Sequence, residues 1–384
     1  MIRGLLVRLA LVSASSAAAI VLAEVALRFT AHRLVGEGEW LEVGTVFRHD
    51  DPPMGFSLEP NSTRLSVKGG AYVIRDRINA QGMRDVEHRL EKPEGVKRVL
   101  VLGDSFMYGD GVEQEESMPR RLAAMTPQVA VINAGVRAWN LDQEYLYYKA
   151  RGRRYGADLV ILAFFINDLI RDPSYVARDG SGGLPEAYER TPEALKLQRD
   201  EAPRGWKGAV SSWLRSRSLL YKLVRSRLRS LGSADRPTPA AESPRRRPEI
   251  PYLPIFHAGT PGSAEPHWER AWRVMDALRE LVAEDGAKLV VLIVPAPWQS
   301  SERDWEGWVD WLQADPLTLS RTRPQEMILD WCGRSGVMCL DLLPGLARRG
   351  GSRLYYAHDF HWTPEGHEAA AEETRGFLAA HGLP

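Results

Sequence analysis

A serine is a poor nucleophile until a neighbouring base takes its proton, and two distant segments of this chain hold the parts for that chemistry. Gly103-Asp104-Ser105 directly follows an apolar run, Val99–Leu102. The glycine permits a sharp turn that leaves Ser105 at the end of a strand, near the start of a helix. Far along the chain, His358-Asp359-Phe360-His361-Trp362-Thr363-Pro364 precedes the last apolar-periodic stretch. Thr363 suits an N-cap and Pro364 a first helical position, so His361 is expected on the loop entering a final helix. In an extended segment residues two apart point to one side, which sets Asp359 beside His361 and His358 on the other side.

Two more segments carry groups that can donate to a developing oxyanion. In Asn133-Ala134-Gly135 the glycine allows close approach of a backbone N–H, and in Asn167-Asp168 the Asn167 amide is a side-chain donor. Taken singly, each of these short motifs also reads as a turn or a helix cap. A metal centre of His358, His361 and His367 lacks a third ligand at a suitable spacing, so no metal is expected. Phe106-Met107 breaks the G-x-S-x-G elbow, which disfavours an ordinary α/β-hydrolase. No Gly-rich phosphate loop of the P-loop or G-x-G-x-x-G type is present, which excludes that class of phosphate-binding protein.

The elements that must hold these groups are legible as alternating patterns. Val99–Leu102, Val129–Ile132, Leu159–Phe165, Leu289–Val294 and Val337–Leu340 are continuous apolar runs, as expected of parallel strands buried on both faces. Helical spacing covers about 115–126, 141–154, 267–284, 318–334 and Pro364 to the end. This alternation predicts an α/β domain with helices on both faces of the sheet. Ligand sites in such sheets gather beyond the carboxyl ends of the strands, where Ser105, Gly135, Asn167 and His361 all fall.

That order, Ser, Gly, Asn and Asp/His after the first, second, third and fifth strands, resembles the SGNH hydrolase superfamily, also called GDSL esterases. The resemblance covers roughly 97–170 and 285–382. It implies a flavodoxin-like three-layer α/β/α sandwich with a five-stranded parallel sheet. It also implies Ser105 as nucleophile, His361 as base and Asp359 as the acid that orients it. The Ser105 and Gly135 backbone N–H groups and the Asn167 amide would form the oxyanion hole, with no cofactor. Two departures bear on this: Phe165 stands where the family has glycine, and Asp359-Phe360-His361-Trp362 is one residue shorter than the usual Asp-x-x-His. The latter is similar to the D-x-H-W form of the branch acting on acylated extracellular polysaccharides. The resemblance therefore implies ester hydrolysis or O-acyl transfer on acylated, foremost acetylated, carbohydrate or lipid. Ile78–Asp85 resembles the leader found before Gly-Asp-Ser in membrane-anchored bacterial members. The rival reading is a non-catalytic module of the same fold that binds acylated polysaccharide or lipid; the intact Ser105, Asp359 and His361 set favours the enzyme.

The rest of the chain sets the context. Among 384 residues, Lys+Arg 50 balance Asp+Glu 50, which gives no support for a nucleic-acid partner. Arg3 and Arg8 precede the apolar stretch Leu9–Ala23, and Gly4–Phe29 is long enough to span a bilayer. Positive charge at the start predicts a cytoplasmic N-terminus and an exported remainder. Residues 1–33 are expected as a retained membrane anchor, because apolar residues continue through Val25, Ala26, Leu27 and Phe29. A signal peptide cleaved after Val21-Leu22-Ala23 is the alternative. Residues 34–96 read as a leader with short strands, Ala71–Arg75 among them. Residues 97–384 read as the catalytic domain, interrupted by an insertion over 170–265 that is disordered around 232–250. Cys332 and Cys339 are expected as buried free thiols, with a single bridge as the alternative for an exported domain. Trp213–Arg229 is expected as a basic cap helix over the catalytic domain, an interfacial lipid helix being the alternative. Trp298, Trp305, Trp308 and Trp311 are expected in packed core, or else as a sugar-stacking wall.

Overall fold

A computed structural model describes residues 2–201, 205–233, 253–258, 265–357 and 359–384. His358, and the disorder expected around 232–250 from residue 234 onward, lie outside the described residues. The chain forms two compact units, and the segment 34–96 is divided between them.

The larger unit comprises Val46–Ser62, Arg77–Glu201 and Arg245–Pro384. Its centre is built from the apolar runs. They form β1 (Lys97–Gly103), β2 (Val129–Asn133), β3 (Leu159–Phe164), β4 (Lys288–Ile293) and β5 (Met338–Asp341). These five pair in parallel in the order β5-β4-β3-β1-β2. Side chains alternate between the faces of a strand, so each run feeds two cores. Leu100, Leu102, Val160, Leu162 and Val291 point to one, with Leu146, Val274, Leu278 and Ile328 from the covering helices. Val99, Val101, Ile161, Val290 and Leu292 point to the other, with Leu122, Ala370 and Leu378. The helices are α1 (Met118–Met125), α2 (Leu141–Ala150), α3 (Glu265–Glu284), α4 (Arg323–Ser335) and α5 (Pro364–Ala380). This is the expected three-layer sandwich. Strand order reverses at β1, so the crevice beyond β1 and β3 is a topological switch point.

Two local expectations need correction. The helix expected from 318 starts at Arg323; Pro316–Thr318 is a separate 3₁₀ turn, and Pro324 sits in the first turn of α4, where its missing N–H costs nothing. Cys332 and Cys339 are not free thiols but a disulfide, with Cα atoms 6.2 Å apart. The return from α4 to β5 turns at Gly336, whose φ of 71° is left-handed, and brings the two cysteines together. Burial tendency alone carries no information about such a turn.

The smaller unit comprises Met1–Thr45, Thr63–Asp76 and Ala202–Pro244. Its N-terminal helix, Ile2–Thr30, begins the segment Gly4–Arg33, which is long and apolar enough to cross a membrane and has none of its apolar window buried. Trp40–Gly44, Thr63–Lys68 and Tyr72–Arg77 form a three-stranded sheet with Thr63–Lys68 in the middle. The basic stretch is not one helix. It breaks at Ser218, whose Oγ accepts the Tyr221 N–H at 3.1 Å, into helices Gly205–Arg217 and Leu219–Ser233. Leu219 and Leu223 pack with Ala31, Val35, Val43, Leu65 and Val67 in the core of this unit.

Candidate active site

Beyond the carboxyl end of β1, Asp104 caps a one-turn helix, Ser105–Tyr108, and its Oδ1 accepts the Phe106 N–H at 2.9 Å. Ser105 therefore occupies the first helical position, where backbone N–H groups have no partner within the helix. The turn is tight: a Cβ on Gly103 would lie 2.5 Å from the Met107 Cγ. Gly109 and Gly111, at φ 84° and 89°, then curl the chain so that the Asp110 N–H donates to the Ser105 carbonyl at 3.0 Å.

His361 lies on a short strand, Asp359–Trp362, rather than a loop, paired with Tyr355–Tyr356. The expected helix entry is present: Thr363 caps α5 and Pro364 follows it. Asp359 and His361 share one side of the strand. The His361 Nδ1 lies 2.5 Å from the Asp359 Oδ1, and its Nε2 lies 2.8 Å from the Ser105 Oγ. With the proton on Nδ1 donated to Asp359, Nε2 accepts from the serine hydroxyl. Asp359 is buried and His361 retains 21% of its side-chain exposure, so the ring is reachable while its acid is shielded.

The expected oxyanion donors differ in availability. The Asn167 Nδ2 donates to the Asp104 Oδ2 at 2.8 Å and keeps a second hydrogen. The Gly135 N–H donates to the Asn133 Oδ1 at 3.0 Å. Gly135 is also packed hard against the Ser105 turn; a Cβ there would lie 2.5 Å from the Tyr108 nitrogen. Phe165 does not leave a hole. Its ring packs 4.8 Å from that of Phe106, which in turn touches His361 and Trp362. The aromatic side chain thus packs beneath the Ser105–Tyr108 turn through Phe106.

Carboxylates surround this group. Asp110 lies 3.9 Å from the His361 Nε2 and pairs with Arg137 at 2.8 Å. Burial disfavours the charged imidazolium, yet the hydrogen bond to Asp359 and the charges of Asp110, Asp359 and Asp104 outweigh it, so His361 titrates above its ordinary value. Burial pushes Asp104 up, against the opposing donors Phe106 N–H and Asn167. Glu144 is fully buried, and neither carboxyl oxygen has a hydrogen-bond partner among the described residues. Burial and the Asp104 charge push it far up, and burial together with Glu144 and Asp104 does the same to Asp168. His367 is occupied otherwise: its Nδ1 accepts the Met118 N–H at 3.1 Å, and burial drives its pKa to about 3.

Sequence reasoning passed over Asp110, Arg137 and Glu144, and it assigned no task to the leader Ile78–Asp85. Arg84, fully buried, donates to the carbonyls of Tyr108, Gly109 and Val112 at 3.0, 3.1 and 2.6 Å. The Asp85 Oδ2 accepts the Asn133 N–H at 2.7 Å. The leader thus clamps the loops after β1 and β2. Of the tryptophans, Trp298 and Trp305 are buried, while Trp311 is 63% exposed. Trp298 stacks on Trp308 at 5.0 Å and meets Phe360, the exposed residue between Asp359 and His361, at 5.4 Å.

Residues 101–369 match the model of the GDSL-like Lipase/Acylhydrolase family. No curated protein matches the chain. Similar solved structures include TesA, 11% identical over 74% of this chain and 99% of that one, with a TM-score of 0.39. A member of the lipolytic protein G-D-S-L family from Veillonella parvula is 11% identical over 74% and 99%, with a TM-score of 0.38. A two-domain esterase active on acetylated mannans is 11% identical over 74% of this chain and 49% of that one, with a TM-score of 0.37.

Proposed function

Because the chain belongs to the GDSL-like lipase/acylhydrolase family, we propose that it is a serine esterase or O-acyltransferase that acts outside the cytosol on O-acylated, foremost O-acetylated, carbohydrate. The observation that carries this reading is the unbroken chain Ser105 Oγ–His361 Nε2 at 2.8 Å and His361 Nδ1–Asp359 Oδ1 at 2.5 Å. His361 takes the proton of Ser105 as the hydroxyl attacks the ester carbonyl, and Asp359 holds the tautomer and balances the imidazolium. The Ser105 N–H and the second Asn167 hydrogen receive the oxyanion. Gly135 joins them only if its N–H leaves Asn133. One such donor is worth about 3 kcal/mol. His361 then protonates the leaving alcohol, and water or a second hydroxyl accepts the acyl group from Ser105.

The exposed Phe360 ring beside the histidine, backed by the buried Trp298, offers one aromatic face on which a sugar can stack. Residues 97–384 are read as the catalytic domain with its insertion at 170–265, and residues 1–33 as a retained anchor. The disulfide supports an oxidising compartment.

The test compares the full chain with Ser105→Ala on 4-nitrophenyl acetate and on acetylated oligosaccharide, with and without an unacetylated acceptor. Loss of both acetate release and acceptor acetylation in the variant is expected. Equal rates in the two proteins, in every arm, sink the enzyme reading and leave the binding module. Acetylation that depends on the acceptor selects transfer over hydrolysis.

A further inference from the structure

Glu24 interrupts the apolar N-terminal helix, and its carboxylate is used within the smaller unit. Its Oε1 accepts the Leu219 N–H at 2.9 Å; its Oε2 accepts the Leu220 N–H at 3.0 Å and the Ser218 hydroxyl at 2.9 Å. A carboxylate at a helix N-terminus satisfies N–H groups that the helix cannot. Arg28, one turn on, donates to the Arg217 carbonyl at 3.3 Å. The junction of the two basic helices is thereby tied to one level of the N-terminal helix.

That level can be located. Gly4–Ala23 covers about 30 Å at ~1.5 Å per residue, the thickness of a bilayer's hydrocarbon core. Glu24 then stands at the outer hydrocarbon boundary. The helix ends at Thr30, about 9 Å further on, a depth comparable with one headgroup layer.

Both basic helices also leave an apolar stripe uncovered. Trp206, Val210 and Trp213 are 73%, 50% and 55% exposed and follow one face of the first helix. Val224 and Leu228 are 49% and 63% exposed on the second, opposite the inward-facing Leu219 and Leu223. Cations flank these stripes: the Lys207 Nζ sits over the Trp206 ring and the Arg217 guanidinium over Trp213, each at 5.6 Å. Arg215, Lys222 and Arg225 add to them, and the span 205–233 holds no Asp or Glu. Exposed apolar stripes bordered only by cations are the pattern of helices that lie in a membrane interface. An anionic surface is the partner that matches the charge.

We propose that the helices Gly205–Arg217 and Leu219–Ser233 lie on the anionic lipid headgroups of the same membrane that the N-terminal helix spans, with Trp206, Trp213, Val224 and Leu228 inserted. The proposal rests on the anchor reading of residues 1–33. Full-length Val224→Cys, Leu228→Cys and Leu11→Cys proteins, each labelled with an environment-sensitive fluorophore, are reconstituted into phosphatidylcholine–phosphatidylglycerol vesicles. Retained melting curves show that each variant folds. Labels at 224 and 228 should be quenched about twofold by headgroup-level nitroxide lipid and shielded from iodide, with several-fold weaker quenching in phosphatidylcholine alone. The label at 11 should be quenched by nitroxide deep in the acyl region.

Deep quenching at 11 with free access of iodide at 224 and 228 overturns the surface and leaves the anchor standing. Iodide shielding without lipid quenching at 224 and 228 overturns it in favour of a protein partner or a second copy. Equal quenching in both lipid mixtures overturns the anionic assignment. No quenching at 11 overturns the anchor and the surface with it.

Discussion

Asp359→Asn tests the orienting role of the acid at nearly constant volume. In the native chain the buried Asp359 carboxylate can only accept, so it fixes the proton of His361 on Nδ1, 2.5 Å away. The amide of the variant has no charge to balance the imidazolium, and in the rotamer that turns its N–H to the ring it donates to the same nitrogen. Nδ1 must then accept, and the ring proton moves to Nε2, where the Asp110 carboxylate at 3.9 Å favours it. Nε2 can no longer take the proton of Ser105. Loss of the correct tautomer in a Ser-His-Asp set costs about 10⁴ in kcat, or about 5.5 kcal/mol at 1.36 kcal/mol per decade. Asp359 is buried and meets the Nδ1 side of His361, away from Ser105, so KM should stay within about twofold, the mark of an interaction made in the transition state. The assay is steady-state hydrolysis of 4-nitrophenyl acetate, with thermal unfolding run in parallel to establish that the variant is folded. A kcat within about tenfold of wild type, in a folded variant, refutes the assignment of Asp359.

Three further outcomes follow from the charges and the bridge. Because His361 must be neutral to act and titrates above its ordinary value, the acid limb of kcat/KM should lie above about pH 6.5. Asp110→Asn removes one charge that holds it there and should move the limb to lower pH; a limb that stays put excludes Asp110 from the electrostatics of the site. Glu144 keeps its proton in the fold and loses it at about pH 4.3 when unfolded. Its contribution is therefore full below that pH and is lost as pH rises towards the folded value. The Tm advantage of Glu144→Gln should widen as pH rises above about 4.3, and parallel curves contradict the buried acid. The Cys332–Cys339 bridge closes a separation of seven residues, worth about 2 kcal/mol by chain entropy. Reduction, or Cys332→Ser with Cys339→Ser, should lower Tm accordingly, and an unchanged Tm means that the bridge adds nothing.

The sequence by itself carried the sandwich and the sheet edge at which the candidate residues gather. The three central runs are buried on both faces, and a strand in that position has no polar face to confuse its period; the edge strands Val129–Asn133 and Met338–Asp341 are only partly buried. Ser105 and Asn167 follow ends of neighbouring sheet strands, and the short strand Asp359–Trp362 brings Asp359 and His361 to the same edge. The i,i+2 relation of Asp359 and His361 is local geometry, so it was legible before any fold was known.

What remained hidden was whatever depends on distant backbone. The Gly135 N–H is taken by Asn133, and Phe165 fills a space beneath Phe106 that glycine would leave open. Asp110 and Arg137 meet across two loops. Arg84 reaches three carbonyls more than twenty residues away, and Glu24 caps a helix 195 residues downstream. Composition and period report which face a residue turns inward; they do not report which polar group it will meet there. Hydrogen bonds are directional and short-ranged, so those partners exist only once the tertiary structure has brought the loops within 3 Å or so of one another.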